Sequence, residues 1–384
     1  MIYNVGFRDK GSPWHGGTGD IAATVPPDDL LLGATDRIFA STGNGGSEGT
    51  SIRSQLASWF GQQMGIPYLH AHYLQLYRNG GQFREVMEDL EQPNHGFAER
   101  WTAAAEEGDL YKVAMWFEFP DDNYNFNGGG SVNGATIERF VSGGAYKMAR
   151  YRWHFQRRSN DGNASNFTNL FDLVTAVNDT STAYVDKVLN LADVPQWMRV
   201  WAFDFAMGNW DAWSYNVGQN MYLYKPAGRR WMLLPWDVDF TFGLGDGTSA
   251  QLWDGQDPVI NRMYGNPAFQ RMIWQAYLDV VNGPFLAANF QPQIDARRSA
   301  LLKNNVSGLQ SPTSITSWIN GRRNPILGRI NSANASAFAI TTNSGNDFDS
   351  ATPAATIEGT APFAVATLEV NGVPYPVTWT TANA

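Results

Sequence analysis

From Ser51 to Met64 the apolar residues Ile52, Leu56, Trp59, Phe60 and Met64 recur at helical spacing, and Gly65 stands where a helix stops. Tyr68 to Tyr77 reads as a strand. Asn79-Gly80 then supplies a two-residue turn, because both positions tolerate positive φ, and Phe83 to Leu90 returns as a strand or opens a helix. Ile137 to Phe155 and Phe167 to Val177 carry helical patterns. Asp193 followed by Pro195 and Gln196 is a helix start; the helix turns Trp197, Val200, Trp201 and Phe205 to the core and ends near Gly208. Met221 to Tyr224 and Trp231 to Leu234 form a hairpin around Lys225-Pro226-Ala227-Gly228, and residues 258 to 330 are mostly helical. Residues 1 to 50 are Gly-rich and broken by Pro26-Pro27, which suits short strands joined by loops; Asp121 to Gly134 reads as an ordered loop. After about Asn331 the chain turns to Thr, Ala, Ser, Asn and Gly with strand-like alternation, a small β module whose last hairpin is cut short by the chain end.

Composition narrows the classes. The 384 residues allow two domains or one large domain with an appendage, and 43% apolar content with 15 Trp, 15 Tyr and 22 Phe rules out wholesale disorder. A net charge of −9 without a basic tract argues against nucleic acid as a partner. The absence of Cys excludes disulfides, zinc–thiolate sites and cysteine nucleophiles. No apolar run reaches the roughly 20 residues that span a bilayer, and Met1 to Val5 lacks the pattern of a signal peptide. Lysine occurs only at 10, 112, 147, 187, 225 and 303, so chemistry that demands a lysine has few candidates.

The densest group of polar residues among aromatics is Gly208-Asn209-Trp210-Asp211-Ala212-Trp213-Ser214-Tyr215-Asn216, followed after the hairpin by Pro235-Trp236-Asp237-Val238-Asp239-Phe240-Thr241-Phe242-Gly243. A helix end presents Asp211 and Asn216, and the hairpin brings Asp237 and Asp239 back beside them. Such a group binds a hard divalent cation through oxygen or raises one carboxylate pKa for acid–base work. Phosphoryl transfer uses this layout: an Asp for the acceptor hydroxyl, an Asn five residues later on a metal, and an Asp beyond a hairpin on the metal that bridges the phosphates.

At these residues the sequence resembles the CotH kinases. The resemblance rests on Gly208-Asn209-Trp210-Asp211, on Asn220-Met221-Tyr222-Leu223-Tyr224 and on Leu234 to Gly243, with Gly65-Ile66-Pro67, Tyr77-Arg78-Asn79-Gly80 and Glu91-Gln92-Pro93-Asn94 upstream. It covers roughly residues 5 to 330 and implies an α+β, two-lobed atypical protein-kinase-like fold using ATP and Mg²⁺ or Mn²⁺. By that resemblance Asp211 is the catalytic Asp, and Asn216 or Asn220 is a metal or loop-fixing ligand. Asp237 is the metal-binding Asp with Asp239 in support, the two being interchangeable. Glu91, with Glu88 as second choice, is the acidic residue after the hairpin. Lys10 is the phosphate-binding residue, for which Arg37 or Arg53 could substitute. The expected layout is a kinase-like domain over residues 1–330, with an N-lobe to residue 100 and a helical C-lobe beyond, then a β-rich tail over 331–384. The expected reaction passes the ATP γ-phosphoryl group to hydroxyls of a secreted or surface protein, in a bacterial and extracellular setting.

Two other readings use the same carboxylates: a catalytically degenerate adhesion or polysaccharide-binding protein with a Ca²⁺ site, and a glycoside hydrolase. Further features favour plain roles. His70 and His72 share a strand face without a third ligand, Asn123 to Gly128 lacks the leading Asp and closing Glu of a Ca²⁺ loop, and Gly45-Gly46-Ser47-Glu48-Gly49 has no strand leading tightly into it. Trp14, Trp59, Trp101, Trp116 and Trp153 are read as core, and Arg150, Arg152, Arg157 and Arg158 as a solvated helix face that could alternatively bind phosphate.

Overall fold

The computed structural model describes strand backbones at 4–5, 30–31 and 37–40, and residues 48–78, 80–91, 93, 97, 101–102, 108–114, 116–117, 132–158, 165–215, 218–253, 257–334, 336–365 and 367–382. Helices and small antiparallel sheets mix within these residues, an α+β architecture.

Strands β1 (Asn4–Val5) and β2 (Leu30–Leu31) pair as a ribbon. Strands β3 (Arg37–Ala40), β4 (Ala71–Arg78) and β5 (Gly81–Glu91) make a three-stranded sheet in the order β3-β5-β4. The second segment of the predicted hairpin is therefore a strand, turned at Gly80 with φ 78°. Helix α1 (Arg53–Gln63) backs onto this sheet, where Tyr73 Oη donates to Ser51 O at 2.6 Å and Ser54 Oγ donates to Glu88 Oε2 at 2.6 Å.

The central sheet has four strands. β6 (Gly108–Val113) pairs on one side with β11 (Phe155–Arg157) and on the other with β12 (Met221–Pro226), which in turn pairs with β13 (Met232–Pro235). Between β6 and β11 lie two ribbons, β7 with β8 (Trp116–Phe117, Val132–Asn133) and β9 with β10 (Val141–Ser142, Ala145–Tyr146). Successive side chains point to opposite faces of a strand. Tyr111, Val113, Met221, Leu223 and Leu233 thus join the main core, while Leu110, Tyr222, Tyr224 and Leu234 pack with Leu69, Phe97 and Trp236 in a smaller cluster.

Around the sheet stand α2 (Met148–His154), α3 (Thr168–Val177), α4 (Tyr184–Leu191), α5 (Val194–Met207), α6 (Pro258–Gly265), α7 (Pro267–Asn282), α8 (Ala287–Lys303) and α9 (Thr313–Ala333). Helix α5 is the axis of the core. Asp193 caps it by accepting from the Gln196 amide, Pro195 sits in its first turn, and Trp197, Val200, Trp201 and Phe205 are fully buried, as the sequence predicts. Each such side chain contributes about 1.5–3 kcal/mol by leaving water. The helix stops at Gly208, whose φ of 68° only Gly adopts at no cost and whose missing side chain leaves room for Trp318; a Cβ there would lie 2.9 Å from the indole.

The helix expected over Ile137 to Phe155 is shortened to α2. Gly143 and Gly144, both at positive φ, turn the β9–β10 ribbon inside that stretch, and the segment before it is irregular, held by Tyr151 Oη donating to Glu138 O at 2.6 Å. The tail after α9 forms two ribbons, β14 with β15 (Ala339–Ile340, Gly359–Thr360) and β16 with β17 (Glu369–Val370, Val373–Pro374). It is fastened to α7. Arg271 donates to the carbonyls of Ala361, Pro362, Val365 and Ala382, and the buried Phe363 ring stacks on Trp274 at 5.7 Å. Among the described residues no helix is long and apolar enough to cross a membrane.

Candidate active site

The end of α5 fixes the loop that carries Asp211. Asp204, buried in the last turns of the helix, accepts from Asn209 Nδ2 at 3.2 Å and Ser214 Oγ at 2.9 Å, and its carbonyl accepts from the Asn209 amide at 2.9 Å. Burial pushes the Asp204 carboxyl up to about 7, while its two side-chain donors oppose the shift. From behind, Arg322 of α9 donates to the carbonyls of Phe205 and Ala206 at the helix end and to those of Thr248, Ala250 and Gln251 in the loop after the second motif. One buried guanidinium therefore joins the two segments that bear the carboxylates.

Asp211 is half-buried, and both of its oxygens are held: Oδ1 accepts from Gln219 Nε2 and Oδ2 from Asn220 Nδ2, each at 2.8 Å. Asn220 has a φ of 58°, and its carbonyl accepts from the Trp236 amide at 3.3 Å, which ties the base of the hairpin to the start of the second motif. Asp237 follows with a φ of 54°, a left-handed backbone that costs of order 1–3 kcal/mol outside Gly and persists where the surroundings over-determine it. Arg53 of α1 donates through Nε to Thr241 O at 3.1 Å and pairs with Glu48, so the far end of the motif is pinned to the first helix.

The charges at this place repel one another. Burial and then the hydrogen bonds of Gln219 and Asn220 act in opposite senses on Asp211, with a net rise in pKa. Asp237 reaches solvent, yet the protein packed around it and the neighbouring Asp211 both raise its pKa, against the pull of Lys112. Burial, then Asp237 and more weakly Asp211, push Asp239 up to about 7, opposed by the amides of Asp239 and Phe240. Glu88 of β5 is buried, is driven up to about 7 chiefly by that burial, and also feels Asp239; among the described residues its Oε1 has no hydrogen-bond partner. Among the described residues no three His, Asp or Glu side chains stand close enough to hold a metal ion by themselves.

Facing these carboxylates is Lys112 of β6. Burial lowers its pKa and Asp237 raises it; the ammonium lies 5.8 Å from the centre of the Trp236 ring, a cation–π approach. Among the described residues it has no hydrogen-bond or ion-pair partner. The structure thus brings Asp211, Asp237, Asp239, Glu88 and Lys112 together. Lys112 carries no motif of its own. The signal was its rarity as a lysine on an alternating strand, and its position depends on the register that sets it opposite Tyr222.

The other candidates fall elsewhere. Glu91 Oε2 accepts from the His70 amide at 3.1 Å, and Arg37 stands opposite Glu91 in the β3–β5 register. Lys10, Asn216, the Asn123 to Gly128 run, Trp14 and Gly45 to Ser47 lie outside the described residues, as do the side chains of Arg37 and Trp116. Trp59 and Trp101 are partly buried, whereas Trp153 is 48% exposed, against its reading as core.

No curated protein matches the chain. The family model described as CotH kinase protein, however, matches residues 27–321, a span that takes in the central sheet, the Asp211 loop and the Asp237–Asp239 segment, and by that match over most of its length the protein belongs to the CotH kinase family.

Proposed function

We propose that the protein transfers the γ-phosphoryl group of ATP to a hydroxyl of a secreted or surface protein, in a two-lobed kinase-like domain over residues 1–330 with its N-lobe ending near residue 100. The observation that carries this reading is the pairing, across one sheet face, of a half-buried lysine with a group of carboxylates that raise one another's pKa. Lys112 attracts phosphate oxygens. Asp237 and Asp239 supply the oxygen donors that suit Mg²⁺ or Mn²⁺, with Asn216 and Asn220, on the other side of the hairpin in sequence, as further candidate ligands. Mg²⁺ is ordinarily bound through one or two carboxylates completed by substrate phosphates and water, so a site with fewer than three protein carboxylates in reach fits it. Glu88 Oε1, unpartnered among the described residues, and the repulsion between Asp237 and Asp239 are what such a cation would relieve. When bound, the metal offsets charge on the phosphates.

Asp211 is suited to the acceptor. Its two amide donors hold the carboxylate in one orientation, and its raised pKa makes it a better proton acceptor for a hydroxyl than an ordinary exposed Asp. Glu88 feels the charge of Asp239, whereas Glu91 accepts from the His70 amide, so Glu88 takes the supporting acidic role. Lys112 takes the phosphate role first given to Lys10. The aromatic residues favour this reading over glycoside hydrolysis: Trp213 and Trp236 are buried, and only Trp210, at 36% exposure, offers a ring beside Asp211 among the described Trp of the two motifs.

Calorimetric titration of Mg²⁺-ATP and Mn²⁺-ATP into the wild type, Asp237→Ala and Lys112→Ala tests the reading. Binding to the wild type that is lost or strongly weakened in both variants is expected. Failure of the wild type to bind with either metal overturns it.

A further inference from the structure

Helix α9 carries Arg322 and Arg329 about two turns apart, on one side of the helix, and both reach the loop that runs from Thr248 to Trp253. Their bonding differs. Arg322 is buried and commits every nitrogen, Nε to Ala206 O, Nη1 to Thr248 O and Ala250 O, and Nη2 to Phe205 O and Gln251 O. Arg329 is partly exposed and donates twice, through Nη1 to Ala250 O at 2.9 Å and through Nη2 to Ser249 O at 3.0 Å. A guanidinium has five N–H groups, so three of those on Arg329 have no acceptor among the described residues. Neither arginine pairs with a carboxylate there. Two positive charges thus meet at Ala250 O, and one of them keeps donors in reserve.

Arg329 lines a groove of about 640 Å³ between α7, α9 and this loop, a volume within the range of small-ligand sites. Trp274 of α7 forms its inner side, stacked on Phe363 of the tail. Trp253 stands at 78° to Trp274, with 4.8 Å between ring centres, and is partly exposed. On the α9 side a Cβ at Gly328 would meet no atom within 4 Å, so the groove is unfilled there. Gln251 and Ser332, both exposed, add an amide and a hydroxyl to the lining. The loop is set before any ligand arrives: the five consecutive carbonyls from Thr248 to Leu252 all accept from side chains, those of Arg322, Arg329 and, at Leu252, Tyr277 Oη. Ordering that is already complete is not charged against binding.

We propose that this groove binds an acidic saccharide, with the carboxylate of a hexuronate unit on the unused N–H groups of Arg329, the sugar ring against Trp253, and ring hydroxyls on Gln251 and Ser332. Each part of the lining selects one part of the ligand. The guanidinium fork matches the two oxygens of a carboxylate and supplies the opposite charge. An indole offers a broad apolar surface to the C–H face of a pyranose, and the amide and hydroxyl exchange hydrogen bonds with its hydroxyls. The site shares no residue with the Asp211, Asp237 and Lys112 group and stands independently of the kinase reading.

The test is calorimetric titration of the full chain with oligosaccharides of galacturonate, mannuronate and glucuronate, and with their methyl esters, which keep the rings and remove the charge. Gly328→Leu and Arg329→Gln are compared with the wild type, with melting curves as folding controls. Gly328→Leu should fold at least as well as the wild type, because leucine favours a helix over glycine and no atom stands in its way, while its side chain fills the groove. At least one of the acidic oligosaccharides should bind the wild type. Its methyl ester, and the acid with Arg329→Gln, should bind about tenfold or more weakly, the loss of a charge-assisted contact, and Gly328→Leu should lose binding altogether. Undiminished binding by Gly328→Leu would put the saccharide elsewhere and overturn the proposal. Equal binding of acid and ester would overturn the part assigned to Arg329, and binding of none of the acids by the wild type would overturn the whole.

Discussion

At the foot of α5 the charged groups find their partners within the chain, and at the mouth of the central sheet, among the described residues, not all of them do. Asp204 accepts from Asn209 and Ser214, and the fully buried Arg322 donates to five carbonyls. Beside the sheet, Asp237 and Asp211 raise the charge cost of Asp239, and among the described residues Glu88 keeps an unpartnered oxygen and the Lys112 ammonium has only a distant indole. In the first arrangement the charged groups are paired as folded, which reads as scaffold, although Asn209 Oδ1 is buried without a partner among the described residues. The second leaves charges without partners among the described residues, which the proposed nucleotide and metal would supply. Buried polar groups in both regions look alike in composition; what separates them is whether their partners are already present.

The largest expected effect tests the scaffold side. Arg322→Gln leaves several buried carbonyls without donors and should lower stability by about 3 kcal/mol or more in denaturant unfolding, with the Asp211 loop loosened in hydrogen exchange. A loss under about 1 kcal/mol would mean that water replaces the guanidinium. Next comes Asp204→Asn. The folded carboxyl titrates near 7, above its ordinary value of 3.8, so its favourable contribution is fully present below about pH 4 and is lost as pH rises through about 7. Glu88 and Asp239 act with the same sign. The wild type should therefore lose stability between about pH 4 and 7, and the variant should lose less; identical slopes would show that Asp204 is ionised throughout. Smaller and more local, Arg271→Gln should free the tail, seen as faster proteolysis between residues 336 and 382 with the main melting transition little moved. A matching fall in the main transition would make the tail part of the cooperative unit.

The scaffold was legible where its causes are local. The Asp193 cap, the four buried residues of α5 and the stop at Gly208 follow from spacing and from residue types that act within one turn. The β12–β13 hairpin was equally plain from its turn residues. The stretch from Ile137 misled because apolar residues on an irregular, partly buried segment happen to match helical spacing, and the two glycines that turn the ribbon were outweighed. Arg322 gave no signal, since an arginine inside an amphipathic helix is ordinarily solvated. In the site, the Asp residues stood out as a group, whereas Lys112 and the choice of Glu88 over Glu91 depend on strand register. Glu88 lies opposite Tyr73 and bonds to Ser54 of α1, and Glu91, three residues on, turns to His70.

The division of labour between Asp211 and Asp237 is the central claim, and labelled-phosphate transfer measured beside Mg²⁺-ATP binding in Asp211→Asn and Asp237→Asn tests it most directly. Asp211→Asn should bind the nucleotide as the wild type does and transfer no phosphate above background, whereas Asp237→Asn should lose binding and transfer together. Full transfer by Asp211→Asn, or undiminished Mg²⁺-ATP binding by Asp237→Asn, would contradict the account.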